Sequence, residues 1–406
     1  MFVRIGNTPR DYAWGSTTAI AGLLGTTPSG HPEAELWLGA HAGSPSVILD
    51  PSQTGGAADL ASWIAHEPGS ALGEGVKRLP YLLKVLAAAG PLSLQAHPSN
   101  AQAAAGFARE NAAGIPLDSP DRNYKDASHK PELIFAVSDT FDALCGFRDV
   151  ERSARLFARI ADTAADGERA TIAAFAETLT GEPAAVLRSA TEWLLGGDPA
   201  VAQLVDAVVT TTASVDADPA GDDLAVAADT VRMLAAAFPG DPGIVLALLL
   251  NRATLRAGQV LYLPAGNIHA YLRGLGIELM AASDNVLRGG LTPKRIDVPE
   301  LVSILDFSPI DATPLEPERP APGVEVFRPE EPDFALDHVV VGDGVDEVRL
   351  ALPGAAIALC TAGEVTIDGA HGRITVARGE SVFVTPDEEA LTISGSGTLF
   401  VAAPNV

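Results

Sequence analysis

The stretch "PLSLQAHPSN", Pro91 to Asn100, decides how the chain is read. An apolar run bounded by prolines carries Gln95 and His97 two residues apart. Side chains at i and i+2 of a strand share a face, so the two point together into one interior. A buried amide and a buried imidazole are costly unless something satisfies them. The stretch thus reads as a strand of a β-rich domain with a polar interior.

The surroundings agree. "AELWLGAHAGSPSVIL" and "LPYLLKVLAAAGPLSLQAHPS" mix apolar runs with Gly and Pro breaks, so residues 1 to about 100 are expected to form short strands and turns. "AQAAAGFARENAA" (101–113) has helical composition, and a polar loop, "GIPLDSPDRNYKDASHKPE", then leads to the apolar "LIFAV". From Val150 to about Asn251 the texture turns helical, from "ERSARLFARIADTAAD" to "GIVLALLLNRATL", with Gly, Pro and Asp breaks. Strands resume in "LRAGQVLYLPAGNIHAYLRGLGIELMAAS". Beyond Pro309 a Pro- and Glu-rich linker opens a final β-rich region. A faint repeat lays "RAGQVLYLPAGNIHAYL" (256–272) over "ARGESVFVTPDEEALTI" (377–393), with Ala390 where the first copy has His269. This suggests two related β lobes, of which only the first can bind metal.

Composition bounds the function. The 406 residues, 47% of them hydrophobic, suffice for two or three domains and a large core. Apolar runs are too short to span a bilayer, and the start "MFVRIGNTPRDYAWGS" lacks the apolar segment of a secretory signal. Cys145 and Cys360 stand far apart in no metal spacing, which fits a reducing cytoplasm. A net charge of −25 repels phosphate, arguing against nucleic acid and anionic membranes. A small anionic substrate would need a local cationic cluster. Only five lysines occur: Lys77, Lys84, Lys125, Lys130 and Lys294. Where arginine supplies nearly all positive charge, a retained lysine suggests a need for a compact ammonium.

Two constellations carry chemistry. Gln95, His97, Glu132 in "SHKPELIF" and His269 after "PAGN" are N/O donors suited to a borderline divalent ion, zinc first, with Mn, Co or Fe as alternatives. Taken singly, each has a duller account as a satisfied core residue or a charge at a strand end. His129, three before Glu132, competes as a ligand and is assigned a supporting role. The second is "ELMAASDNVLRGGLTPKR", Glu278 to Arg295, where Arg288 and Lys294 flank a Gly-Gly turn suited to an oxyanion. Lys84, inside the apolar "YLLKVLAA", requires a partner or a cavity.

Taken together, "DYAWGS", "ELWLGAH", "PLSLQAHPS", "HKPELIFAV" with "ALCGFRD", "YLPAGNIHAYLRG" and "MAASDNVLRGGLTPK" resemble type I mannose-6-phosphate isomerase (phosphomannose isomerase), of the cupin superfamily. The resemblance is good over residues 1 to 310 and loose beyond. It implies a mainly β fold with an α-helical insertion: a cupin-type β-barrel (jelly roll) core over 1–149 and 252–308, a helical domain over 150–251, and a second, metal-free cupin-like β-barrel over 309–406. It implies one zinc ion on Gln95, His97, Glu132 and His269. It places Arg288, Lys84, Lys130 and Glu278 among catalytic residues, and Ser93, Lys294, Asp284 and Asn285 among substrate contacts. Ser93 and Lys294 are assigned to phosphate.

The implied reaction interconverts mannose 6-phosphate and fructose 6-phosphate through an enediol, in mannose metabolism or GDP-mannose supply. Which of Lys84, Lys130 or Glu278 moves the proton stays open. A monomer is expected, with a homodimer as the alternative. The rival readings are an Fe(II)-dependent cupin oxygenase and a non-catalytic sugar-phosphate-binding cupin.

Overall fold

The computed structural model describes residues 1–218 and 220–405. Its strands form two large sheets, nine-stranded and ten-stranded, with antiparallel pairings. The nine-stranded sheet is folded into two layers by one long strand, His269–Ala281. The first part of that strand pairs with Leu94–Ala96 and Thr140–Phe147, and its second part with Tyr81–Ala88 and Glu132–Ala136. The switch lies at Gly274, whose φ of +135° suits glycine and where a Cβ would stand 2.6 Å from the Phe141 ring. Leu287–Gly290 and Leu250–Arg256 extend the first layer, Glu35–Leu38 and Val260–Leu263 the second. The pairings do not close into a barrel among the described residues, so the expected barrels take the form of layered jelly rolls.

Alternation along Tyr81–Ala88 shows what each face does. Leu82, Lys84 and Leu86 face into the jelly roll, while Tyr81, Leu83, Val85 and Ala87 belong to a different hydrophobic cluster. That cluster includes Phe327, Leu336, Ile357, Leu359, Phe383 and Phe400 of the ten-stranded sheet. The two sheets therefore share one apolar core. The inside of the second sheet is filled by Val339, Val365, Val376, Val382, Leu391 and Leu399.

Six helices, Val150–Thr163, Asp166–Thr178, Pro183–Leu195, Pro199–Thr212, Asp223–Ala237 and Gly243–Ala247, lie between the strands. Asp149, Glu182, Asp198 and Asp222 cap four of them by accepting backbone N–H groups. Leu156, Phe157 and Ile160 turn inward, and Phe157 meets Phe175 edge to face at 4.8 Å.

The structure departs from the sequence reading at several places. Three short helices, Ala19–Leu24, Leu60–His66 and Pro68–Leu72, interrupt the region read as strands and turns. "GIVLALLLNRATL" is helical only to Ala247, and Leu250–Arg256 is a strand paired with Thr140–Phe147. The first strand, Phe2–Gly6, pairs with Ser381–Val384 and so joins the sheet of the last hundred residues. The faint repeat is a repeat of architecture: Gly258 and Gly379 share a φ of +88°, and His269 and Ala390 each begin a long strand.

Candidate metal centre and substrate cavity

Strand register builds one wall of the site. Arg288 pairs with Gln95, Gln95 with His269, and His269 with Cys145, so these four share a face across neighbouring strands. His97, two residues beyond Gln95, extends the same face. The opposite layer presents Glu132 at the start of Glu132–Ala136, and Glu278 paired with Lys84. His97, Glu132 and His269 meet in the middle, each at most 1% exposed, with ligand-capable atoms within 4.8 Å of one another.

Their hydrogen bonds show what the centre lacks. His97 Nδ1 lies 2.7 Å from the Asn285 carbonyl, and His269 Nδ1 lies 3.0 Å from the Asn267 carbonyl. A carbonyl only accepts, so Nδ1 carries the proton in both rings and Nε2 presents a lone pair. Those Nε2 atoms stand 3.3 and 3.4 Å from Glu132 oxygens. Lone pairs facing a carboxylate are not hydrogen-bonded. Both Nε2 atoms and Glu132 Oε2 are buried and unpartnered. Burial and Lys130 push the His97 pKa down to about 4, which keeps the ring neutral. Burial disfavours charge on Glu132, yet Lys130 and the imidazoles hold its carboxyl well below the usual range. Two lone pairs and an anionic oxygen converging on one point fit a divalent cation, with both rings oriented through Nδ1 as ligating histidines usually are.

Charge points the same way. Glu35, Glu132 and Glu278 are buried beside Lys84 and Lys130, one carboxylate in excess. Lys130 Nζ donates to Glu132 at 2.5 Å. Lys84 Nζ lies 2.8 Å from Glu278 and 3.5 Å from Glu35. Burial opposes the Lys84 charge, but these carboxylates outweigh it and raise its pKa above the ordinary lysine value. Burial alone would lower it; the close anions reverse the sign. Glu278 is pushed up by burial, against the pull of Lys84.

Above the centre lies a cavity of about 850 Å³, lined by Trp14, Trp37, Lys84, Ser93, Gln95, Lys130, Asp284, Arg288 and Lys294 among others. Arg288 and Lys294 make no ion pair with the described residues, in a chain holding 52 acidic residues against 27 basic. Repulsion from Arg288, with burial second, lowers the Lys294 pKa, and burial lowers that of Arg288. Two such cations on one cavity wall suit an anion. Asp284 lies opposite in charge: burial works against it, but the Nε2–H of His41, 3.0 Å away, keeps its carboxyl below the usual value. The tautomer follows from His41 Nδ1, which accepts the Gly43 N–H at 3.1 Å.

The expected residues do not all land alike. Gln95, Ser93, Lys84, Lys130, Asp284, Arg288 and Lys294 line the cavity, while His97, Glu132, His269 and Glu278 lie buried beneath it. Asn285, expected at the substrate, is a correction: it is fully buried and its amide is spent on the loop at 125–128. His129 is turned away, its Nε2 2.7 Å from Asp333. Glu35, Trp37 and His41 were not singled out from sequence. The signal is the period-two alternation in "ELWLGAH", with Leu36 and Leu38 packed on the shared core and the odd residues facing the cavity.

Comparison with known proteins accords with this geometry. Residues 2–150 match the catalytic domain of type I phosphomannose isomerase, and residues 325–404 match the mannose-6-phosphate isomerase cupin domain. The chain is 37% identical to Mannose-6-phosphate isomerase of Escherichia coli (strain K12) over 399 residues, 97% of each chain. It is 33% identical to the Homo sapiens protein of that name over 411 residues, 93% of this chain and 92% of the other. A zinc-bound crystal structure of mannose 6-phosphate isomerase superposes with a TM-score of 0.87 at 35% identity, covering all of both chains. By sequence along nearly its whole length, and by fold, this chain belongs to the type I mannose-6-phosphate isomerase family.

Proposed function

We propose that the chain is a metal-dependent aldose–ketose isomerase that interconverts mannose 6-phosphate and fructose 6-phosphate. The observation that carries this is the pair of orphaned imidazole nitrogens and a carboxylate beneath two unpaired cations. His97, Glu132 and His269, with Gln95 beside them, would hold the metal. When bound, the metal supplies Lewis-acid charge that favours an electron-rich sugar oxygen.

The chain's own residues divide the remaining work. Lys294 and Ser93 anchor the phosphate, and Arg288 stabilises the negative charge that develops as the enediol forms. In the open sugar the C2–H bond breaks and a C1–H bond forms. The hydroxyl proton moves from O2 to O1. Of the three candidates for proton transfer, Lys130 is committed to Glu132. Lys84 and Glu278 form one close ion pair, so the proton-moving unit is that pair, with Lys84 on the cavity side. Asp284, held ionised by His41, accepts a sugar hydroxyl.

The relatives named above are isomerases, which does not favour the oxygenase and sugar-sensor readings. No described helix is long and apolar enough to cross a membrane. With Cys145 and Cys360 free and buried, we place the protein in the cytoplasm, in carbohydrate metabolism, as a monomer. The test is a coupled assay from mannose 6-phosphate to fructose 6-phosphate, with and without chelator. Activity should vanish on chelation and return with divalent ion; full turnover by metal-free protein overturns the proposal.

A further inference from the structure

Asn285 is fully buried, and its polar atoms are all committed. Its side-chain oxygen accepts from the backbone N–H of Lys125 at 2.7 Å and of Asp126 at 3.3 Å. Its side-chain nitrogen donates to the carbonyls of Asp126 at 2.9 Å and Ser128 at 2.8 Å. This pattern of two N–H groups and two carbonyls settles the amide orientation and demands Asn rather than Asp or Leu. Its backbone N–H donates to Ser283 Oγ at 3.2 Å. The side-chain nitrogen also reaches Asp126 Oδ1 at 3.3 Å, and the backbone carbonyl accepts from His97 Nδ1 at 2.7 Å.

We infer that Asn285 is a positioning residue for the metal centre: its amide clamps the loop at 125–128, which fixes the carbonyl that sets the tautomer and angle of His97. The amide is the grip, and the carbonyl is the tool. Without the clamp the carbonyl can swing, and His97 can move its proton to Nε2 and lose its ligating lone pair. The same loop runs on to Lys130 and Glu132, and Lys125 lines the cavity, so one buried amide registers two walls of the site. The inference rests on the reading of His97 as a ligand. Partners that orient ligating histidines typically contribute 10–100-fold to metal affinity.

The test measures zinc release from the zinc-loaded full chain to a metallochromic chelator, well below the unfolding temperature. Asn285→Ala should release zinc roughly 10–100-fold faster than the unaltered chain. Arg78→Ala is the control: Arg78 donates to Ser128 Oγ of the same loop at 3.0 Å but bonds neither Asn285 nor His97. It should release zinc within about twofold of the unaltered rate, since neither the Asn285 clamp nor a ligand loses a bond. Equal rates for the two variants would reduce Asn285 to general support of the loop and overturn the inference. Should Asn285→Ala fail to fold, Asn285→Asp replaces it, because a carboxylate cannot donate to the Asp126 and Ser128 carbonyls. Nitrogen-15 spectra of the metal-free protein give a readout that loop destabilisation alone does not move. His97 should be protonated at Nδ1 in the unaltered chain, with Nε2 protonation appearing in the Asn285 variant. His97→Ala separates the two levels. If it keeps zinc at the unaltered rate, the ligand assignment fails and takes the inference with it; if it loses zinc while Asn285→Ala does not, only the inference fails.

Discussion

Single residues at this site are read by what surrounds them. Arg288 faces the cavity with no ion pair among the described residues, so Arg288→Ala should cost roughly 100–1,000-fold in kcat while zinc content stays unchanged, since removing one preorganised donor has that effect. Kinetics beside metal analysis would check it, and loss of zinc would contradict it. Lys84→Met leaves Glu278 and Glu35 buried without their cation. Removing one partner of a buried pair costs about 3–5 kcal/mol, so the melting temperature should fall sharply. The sign with pH is fixed by the raised Lys84 pKa. Its stabilisation is complete below the ordinary lysine value and fades only as pH climbs through the higher folded one, so the deficit should persist across neutral pH. Gln95, His97, Glu132 and His269 were legible in the sequence because polar groups in apolar strands demand a reason. The work of Asn285 was not, because its partners lie some 160 positions earlier in the chain.

Elements were legible in proportion to their length. The five longer helices of the insertion announce themselves by periodicity, and all but Asp166–Thr178 also by a side-chain cap. Leu60–His66 does not: seven residues held by the reciprocal Asp59–Ser62 capping box leave too little periodicity to read. The apolar run from Ile244 to Leu250 hides a helix-to-strand change, since continuous hydrophobicity fits either element and only pairing with Thr140–Phe147 decides. The bend in His269–Ala281 matters most for function, since it carries His269 on one arm and Glu278 on the other. Gly274→Ala forces a side chain into a left-handed backbone position and against Phe141. It should cost at least about 1–3 kcal/mol and lower zinc retention as well, measured by thermal melts and chelator competition. Unchanged zinc binding with a lowered melting point would show the two arms to be independent.

At the scale of the molecule, the shared core between the sheets sets cooperativity. Tyr81, on the catalytic sheet, donates toward the Ala355 and Ala402 carbonyls of the other sheet, each 2.9 Å away. Tyr81→Phe should cost about 1–3 kcal/mol, because it leaves both buried carbonyls short of that donor. Calorimetry should show one transition for both sheets; two separated transitions would contradict a common core. Leu83, Val85, Ile277 and Leu279 of the first sheet pack in one cluster with Phe327, Leu336 and Phe400 of the C-terminal lobe, which covers that face. The location of Phe2–Gly6 in the far sheet was not legible, since "FVRIG" names no partner. That strand has a consequence for biosynthesis. Its partner at Ser381–Val384 is synthesised only after every strand of the nine-stranded sheet. Ile5 can pair early with Ile48, but Phe2 and Val3 wait for that late partner, so the second sheet closes after the strands of the first have been made.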